Sequence, residues 1–96
     1  MINTIGLAHR ARKVAVGTDM TITRLRTKNV FLIFLATNAS HTTKKKVYDK
    51  AKTYGVEVIE VFTSDEISRA LGKEDIKVIG ITDRGFSQLL MNQIRK

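Results

Sequence analysis

There is no cysteine in these 96 residues, which excludes a disulfide framework and a thiolate metal site. Structural zinc would have to rest on His9, His41 and carboxylates, a poor donor set. Proline is also missing, and no linker, low-complexity tract or internal repeat breaks the chain. The longest apolar run is VFLIFLA, far short of the roughly 18 residues of a membrane span. The opening MINTIGLAHRARK carries charges where a secretory signal needs its apolar region. Neither GxGxxG nor a GxxxxGK[ST] phosphate loop is present. The two histidines fall on different elements, and no acids pair at a spacing suited to acid–base work. The expectation is one soluble cytoplasmic domain spanning 1–96, not an enzyme, with no metal, cofactor or membrane partner.

Basic residues are abundant, with a net charge of +8. Residues 1–56 hold eleven Lys and Arg against Asp19 and Asp49, giving +9, whereas residues 57–96 sum to −1. That asymmetry points to one basic side facing a polyanion, which favours nucleic acid.

Hydrophobic spacing gives alternating elements. Asn3 is expected to cap a helix over 4–12, with Ile5, Ala8 and Ala11 inward. Residues 14–16 form a very short strand. Thr18 is expected to cap a second helix to about 27, with Ile22 and Leu25 inward. The apolar run 30–36 reads as a central strand covered on both faces. Ser40 or Thr42 opens a third helix, with Val47, Ala51 and Tyr54 inward, and Gly55 ends it. VEVIEVF, 56–62, reads as a strand. Thr63 and Glu66 fit a capping box, and that helix stops at Gly72. A strand over 77–82 follows, and then a last helix capped by Asp83, with Phe86, Leu89, Leu90 and Ile94 on one face. This order predicts a three-layer α-β-α sandwich around a small mixed sheet of about four strands.

The stretch VAVGTDMTITRLRTKNV carries the strongest site signal. Gly17 permits close approach of a partner backbone, and the first-turn amides of the helix that follows can meet acceptors. Asp19 opposes a bare phosphate there but can accept from an exocyclic amine of a base. The site therefore reads as a base-edge reader built from Gly17, Thr18, Asp19, Met20 and Thr21. Arg10, Arg12 and Lys13 on one side, and Arg24, Arg26 and Lys28 on the other, are expected to form one contiguous basic surface around it. The alternative is a capped helix with Asp19 placed for the dipole alone. The run Lys44 to Lys46 looks like a phosphate patch. On the helix, Lys45, Lys46, Lys50 and Lys52 fall away from the Val47, Ala51 and Tyr54 side, so a solvated outer face accounts for them, with direct RNA contact by this helix as the alternative.

These segments resemble the L-seven-Ae family of ribosomal and ribonucleoprotein proteins, through Gly17-Thr18, VFLIFLATNAS, VEVIEVFTSDEISRALGK and VIGITD. IGLAHRARKVAVG, TKKKVYDKAKTYGV and ITDRGFSQLL are most similar to its bacterial YlxQ-type branch. The likeness covers nearly the whole chain. It implies the three-layer sandwich and recognition of kink-turn RNA. In the family, Gly-x-Asn-Glu-x-x-Lys at the second helix enters the groove of sheared G·A pairs. Here Gly17 matches, Asp19 stands at the Asn position, Met20 at the Glu and Thr23 at the Lys, with Arg24 adjacent. The family's second contact, a loop that packs under a flipped base, falls on 72–76 and includes Lys73. The expected function is recognition of structured, kink-turn-like RNA, ribosomal or translation-associated. A rival is a protein-interaction adaptor on the same fold, with Met20 as an exposed apolar anchor. A substrate domain of an RNA-modifying enzyme is a weaker third reading.

Overall fold

The computed structural model describes residues 1–95. In chain order the elements are α1 (Ile2–Arg10), β1 (Val14–Val16), α2 (Thr18–Arg26), β2 (Leu32–Leu35), α3 (His41–Tyr54), β3 (Val58–Ile59), α4 (Ser64–Leu71), β4 (Val78–Ile81) and α5 (Arg84–Ile94). The sheet runs β1-β4-β2-β3. Strands β2 and β3 are parallel, and β4 is antiparallel to both β1 and β2, so the sheet is mixed as expected. Helices α2 and α3 pack together on one face, and α1, α4 and α5 cover the other.

Burial follows from register. Ala15, Gly80 and Ile33 sit opposite one another in a single row, facing the α2 layer. A Cβ on Gly80 would lie 3.1 Å from Thr21 Cγ2 and 3.1 Å from Val30 Cγ1, so the missing side chain is what lets α2 sit close on the sheet. Phe34, Ile79 and Ile81 alternate to the other face, toward Ile5, Ile67 and Leu90, and all six are essentially buried. The core is aliphatic apart from Phe34, whose ring centroid lies 6.0 Å from that of half-buried Phe62.

Several boundaries differ from the sequence reading. Asn3 caps nothing: α1 starts two residues earlier than expected, with Met1 as its N-cap, and the Thr4 and Ile5 amides return to Met1 O at 3.1 and 3.2 Å. Of the two options for α3, Ser40 is the cap, and its hydroxyl accepts from the Thr43 amide. The expected strands over 30–36 and 56–62 shrink to Leu32–Leu35 and Val58–Ile59, although Phe31, Ala36 and Thr37 beyond β2 still donate to the backbone of Ile81, Lys77 and Phe62. Tyr54 and Leu89 are exposed rather than inward: Tyr54 lies at a cleft past the helix end, and α5 buries the side carrying Ser87 and Leu90. The capping box at Thr63, the Asp83 cap and the terminal Gly55 and Gly72 fall where they were read.

Candidate nucleic-acid interface

Gly17 is the N-cap of α2, with φ 92° and ψ 163°. That backbone region is essentially reserved for glycine. Its amide donates to Val78 O at 2.8 Å, which fixes the tip against the start of β4. The expectation that Thr18 caps the helix is wrong: Thr18 is already helical, and no side chain caps α2. The amides of Thr18, Asp19 and Met20 therefore have no partner within the helix and no side chain over them. By contrast, α3, α4 and α5 are capped by Ser40, Thr63 and Asp83. Among the helices after α1, α2 alone presents a bare amide crown with its partial positive charge.

Thr21, read as a site residue, contacts no ligand from this position. It is fully buried against Gly80, its hydroxyl donates to Ala15 O at 3.4 Å, and its amide returns to Gly17 O. Its work is to seat the first turn on the sheet. Asp19 is 98% exposed and does not cover the amides: its carboxylate leans toward α3, with Oδ1 3.8 Å from Lys46 Nζ. Met20, Thr23 and Arg24 are exposed along the outer side of α2.

The strand register brings further segments to this end of the sheet. Ala36 N donates to Lys77 O and Thr37 N to Phe62 O, so the loop before α3, the start of α4 and the segment entering β4 are neighbours. The 72–76 loop is held firmly. Ser64 Oγ donates to Ile76 O at 2.8 Å, and the Ile76 amide donates to Ser68 Oγ at 2.9 Å. Lys77 pairs with Asp75, whose carboxyl is pushed below its ordinary value by that hydrogen bond and then by the lysine charge. Lys73 is exposed on the loop, and Asn38 Oδ1 accepts from the Ser64 amide at 2.8 Å. Lys44 donates to both Thr37 O and Glu60 Oε2 at 2.8 Å, and Tyr48 OH donates to Glu60 Oε1 at 2.8 Å. The Lys44 hydrogen bond, and then that of Tyr48, hold the Glu60 carboxyl below its usual range. Partial burial first, and the Glu60 bond second, raise the Tyr48 phenol. Lys44 is thus committed to the scaffold.

The expected single basic surface around Gly17 does not form. Lys13 O accepts from Thr82 N, whereas Gly17 pairs with Val78, so Lys13 lies at the far end of β1 and β4. Four extended residues separate the two ends by about 13 Å. Arg12 precedes Lys13 at that far end. Arg26 and Lys28 are carried away by the length of α2, again about 13 Å from the tip. Arg10 lies on the opposite face of the sheet, in the groove between α1 and α4 with Glu66 and Arg69. The physical reason is simple: residues next to Gly17 in sequence are separated from it by one whole element each. Arg24 is nearer, about 10 Å along the helix axis from Gly17, and its Cα–Cβ bond is tilted toward the helix N-terminus.

The sequence reading weighed Lys46 only as one of the outward lysines of α3 and did not join it to the tip, beside which it stands. The signal was available. Parallel β1 and β2 each feed a helix at their C-terminal ends, so early residues of α3 must lie beside early residues of α2. Among the described residues no His, Asp and Glu gather as a metal site, and no helix is long and apolar enough to cross a membrane.

Comparison with known proteins places these features in context. The model of the ribosomal protein L7Ae/L30e/S12e/Gadd45 family matches residues 1–91. The RNA-binding protein YlxQ of Enterococcus faecium is 44% identical over 87 residues, covering 91% of this chain and 84% of that protein. The RNA-binding protein YlxQ of Bacillus subtilis is 40% identical over 88 residues, covering 92% and 88%. A solved protein of unknown function from Bacillus halodurans superposes with a TM-score of 0.93 at 35% identity, over 99% of this chain and 96% of that one. The Giardia lamblia 15.5kD RNA binding protein shares the fold, with a TM-score of 0.80 at 11% identity over 98% and 83% of the two chains.

Proposed function

The chain belongs to the ribosomal protein L7Ae/L30e/S12e/Gadd45 family, and from that premise we propose that it binds structured RNA at the α2 tip. The observation that carries this reading is the bare amide crown of Thr18, Asp19 and Met20 behind Gly17. Relatives at 40–44% identity that are named RNA-binding proteins support it. The crown meets acceptors on bases or phosphates, Lys46 and Arg24 meet phosphates beside it, and the braced 72–76 loop with Lys73 closes the other side. The target is a kink-turn-like RNA of the translation apparatus. Asp19 and Met20, in place of Asn and Glu, give up an amide donor and a carboxylate acceptor. Base reading is accordingly weaker than in a protein with the full motif, and phosphate contact supplies a larger share of affinity.

The test is binding of a labelled kink-turn hairpin across salt concentrations. Lys46→Ala and Arg24→Ala should each flatten the salt slope by about 1 while leaving the fold intact. If both variants bind as the parent does, the site is wrong. One observation favours the adaptor reading instead: Met20 is 47% exposed at the same tip. That reading requires Met20→Ser to abolish binding of a translation protein while RNA binding is undetectable in the parent.

A further inference from the structure

Helices α1 to α4 end in the same hydrogen-bonded turn. One amide returns three residues and the next returns five: Arg12 to His9 and Lys13 to Ala8, Lys28 to Leu25 and Asn29 to Arg24, Gly55 to Lys52 and Val56 to Ala51, Gly72 to Arg69 and Lys73 to Ser68. The first residue of each pair is left-handed, with φ of 62°, 60°, 67° and 66°. After α3 and α4 that residue is glycine, the type with no steric penalty there. After α1 and α2 it is Arg12 and Lys28, at a penalty of about 1–2 kcal/mol each. Strained backbone of this kind gathers where a side chain is needed for function.

Both turns lie at the sheet end opposite the α2 tip. Thr82 N donates to Lys13 O at 2.8 Å, and Phe31 N donates to Ile81 O at 2.9 Å, so they flank the end of β4. Two strand spacings separate them, about 10 Å. Arg84 stands at the first position of α5, between them in the strand order. Cations at helix C-termini complement the dipole, which by itself accounts for Arg12 and Lys28. It does not account for Arg84, a cation at a helix N-terminus. The Arg84 guanidinium lies 4.7 Å over the Phe31 ring, and a face stacked in this way leaves the N–H edges for a planar or tetrahedral oxyanion. A cleft of about 490 Å³ runs among Lys28, Phe31, Tyr54, Gly55 and Arg84.

Among the described residues, Arg12, Lys13, Lys28 and Arg84 at this edge all lack an acidic partner; near the tip Lys44, Lys46 and Lys77 are paired, and Arg24 and Lys73 are not. The nearby acids are otherwise engaged: Asp83 accepts from the Phe86 amide at 2.9 Å, and Glu57 lies 3.9 Å from Arg95. A protein partner would need apolar anchors, and Tyr54 alone is both large and exposed in the cleft.

We propose that this edge is a second RNA surface, which grips the phosphate backbone of a duplex arm without regard to sequence while the α2 tip engages the folded element. The proposal rests on the RNA reading of the tip.

The test uses the full chain, a bulge-free RNA duplex and a kink-turn hairpin, with binding measured from about 0.05 to 0.2 M salt. The key variant is Arg12→Gly with Lys28→Gly, which suits the left-handed turns and should keep the fold. Arg84→Gln is the second variant. The glycine pair should weaken duplex binding at least tenfold at about 0.1 M salt and flatten the slope by about 2, and Arg84→Gln should flatten it by about 1. Unchanged duplex affinity and slope in both variants, with the hairpin still bound, would overturn the second surface and leave the tip reading standing. If polyglutamate displaces the duplex as readily as unlabelled RNA does, the edge is a general polyanion or acidic-protein contact, and the proposal fails. Failure of the parent protein to bind either RNA sinks both readings.

Discussion

Gly80→Ala should destabilise the domain and lift the α2 tip, although alanine is the better strand residue. The added methyl would sit 3.1 Å from Thr21 Cγ2, 3.1 Å from Val30 Cγ1 and 3.2 Å from Val30 Cγ2. Optimal carbon contacts lie at about 3.5–4.0 Å, so each neighbour must retreat by several tenths of an ångström. Neither has room, since Thr21 is 0% and Val30 3% exposed. Overpacking of this kind costs about 1–3 kcal/mol. It is offset by about 0.8 kcal/mol for the buried methyl and about 0.5–1 kcal/mol from reduced chain entropy. At the midpoints of these ranges the net expected loss is roughly 0.5 kcal/mol, which in a domain of this size lowers Tm by about 2–4 °C. Calorimetry or urea unfolding measures it. The internal control is Thr21→Ser, which removes Cγ2 but keeps the hydroxyl. Combined with Gly80→Ala it should show favourable coupling of about 0.5 kcal/mol or more. A Tm that rises in Gly80→Ala, or strict additivity in the double variant, would refute the claim that α2 is seated through this contact.

Other outcomes follow from the same geometry. Gly17→Ala meets nothing within 4 Å, yet should cost about 1–3 kcal/mol through its φ of 92° alone, measurable by urea unfolding. Asp19→Asn should raise affinity for the kink-turn hairpin several-fold, because it removes a negative charge beside the open amides and frees Lys46; anisotropy titration checks it. Glu60 has a depressed folded pKa, so its contribution to stability is present above its ordinary value of 4.5 and is lost as pH falls through the lower folded value. Glu60→Gln should therefore lose up to about 1 kcal/mol at neutral pH and show a shallower decline between pH 4.5 and acid than the parent. Part of the decline remains, because the Asp75 carboxyl is shifted the same way.

Most of the architecture could be read from periodicity and punctuation. Ser40, Gly55, Thr63 with Glu66, Gly72 and Asp83 marked helix ends by local chemistry that tertiary context did not alter. Asn3 and Thr18 failed because a polar residue near a helix start is only a possible cap: at the α2 start it was Gly17, packed on Val78, that decided the boundary. The strand over 56–62 was overcalled for a related reason, since Val61 and Phe62 are apolar but lie beyond the short edge ladder. At the site, the open tip and the 72–76 loop came from the sequence and the family likeness. The partition of the cations did not. Sequence proximity to Gly17 was taken for spatial proximity, yet β1 and α2 each carry the chain across the depth of the domain. Lys46 was weighed with the outward lysines of α3 but not joined to the tip, because a helical wheel shows which way a residue faces within its own helix, not which helix lies beside it.

The most direct measurement is a backbone amide NMR titration of the full chain with a kink-turn hairpin containing tandem sheared G·A pairs. The amides of Thr18, Asp19 and Met20 should shift first and furthest, with Lys46 and residues 72–76 following. If those three amides stay in place at saturation while resonances elsewhere move, the α2 tip is not where the RNA binds.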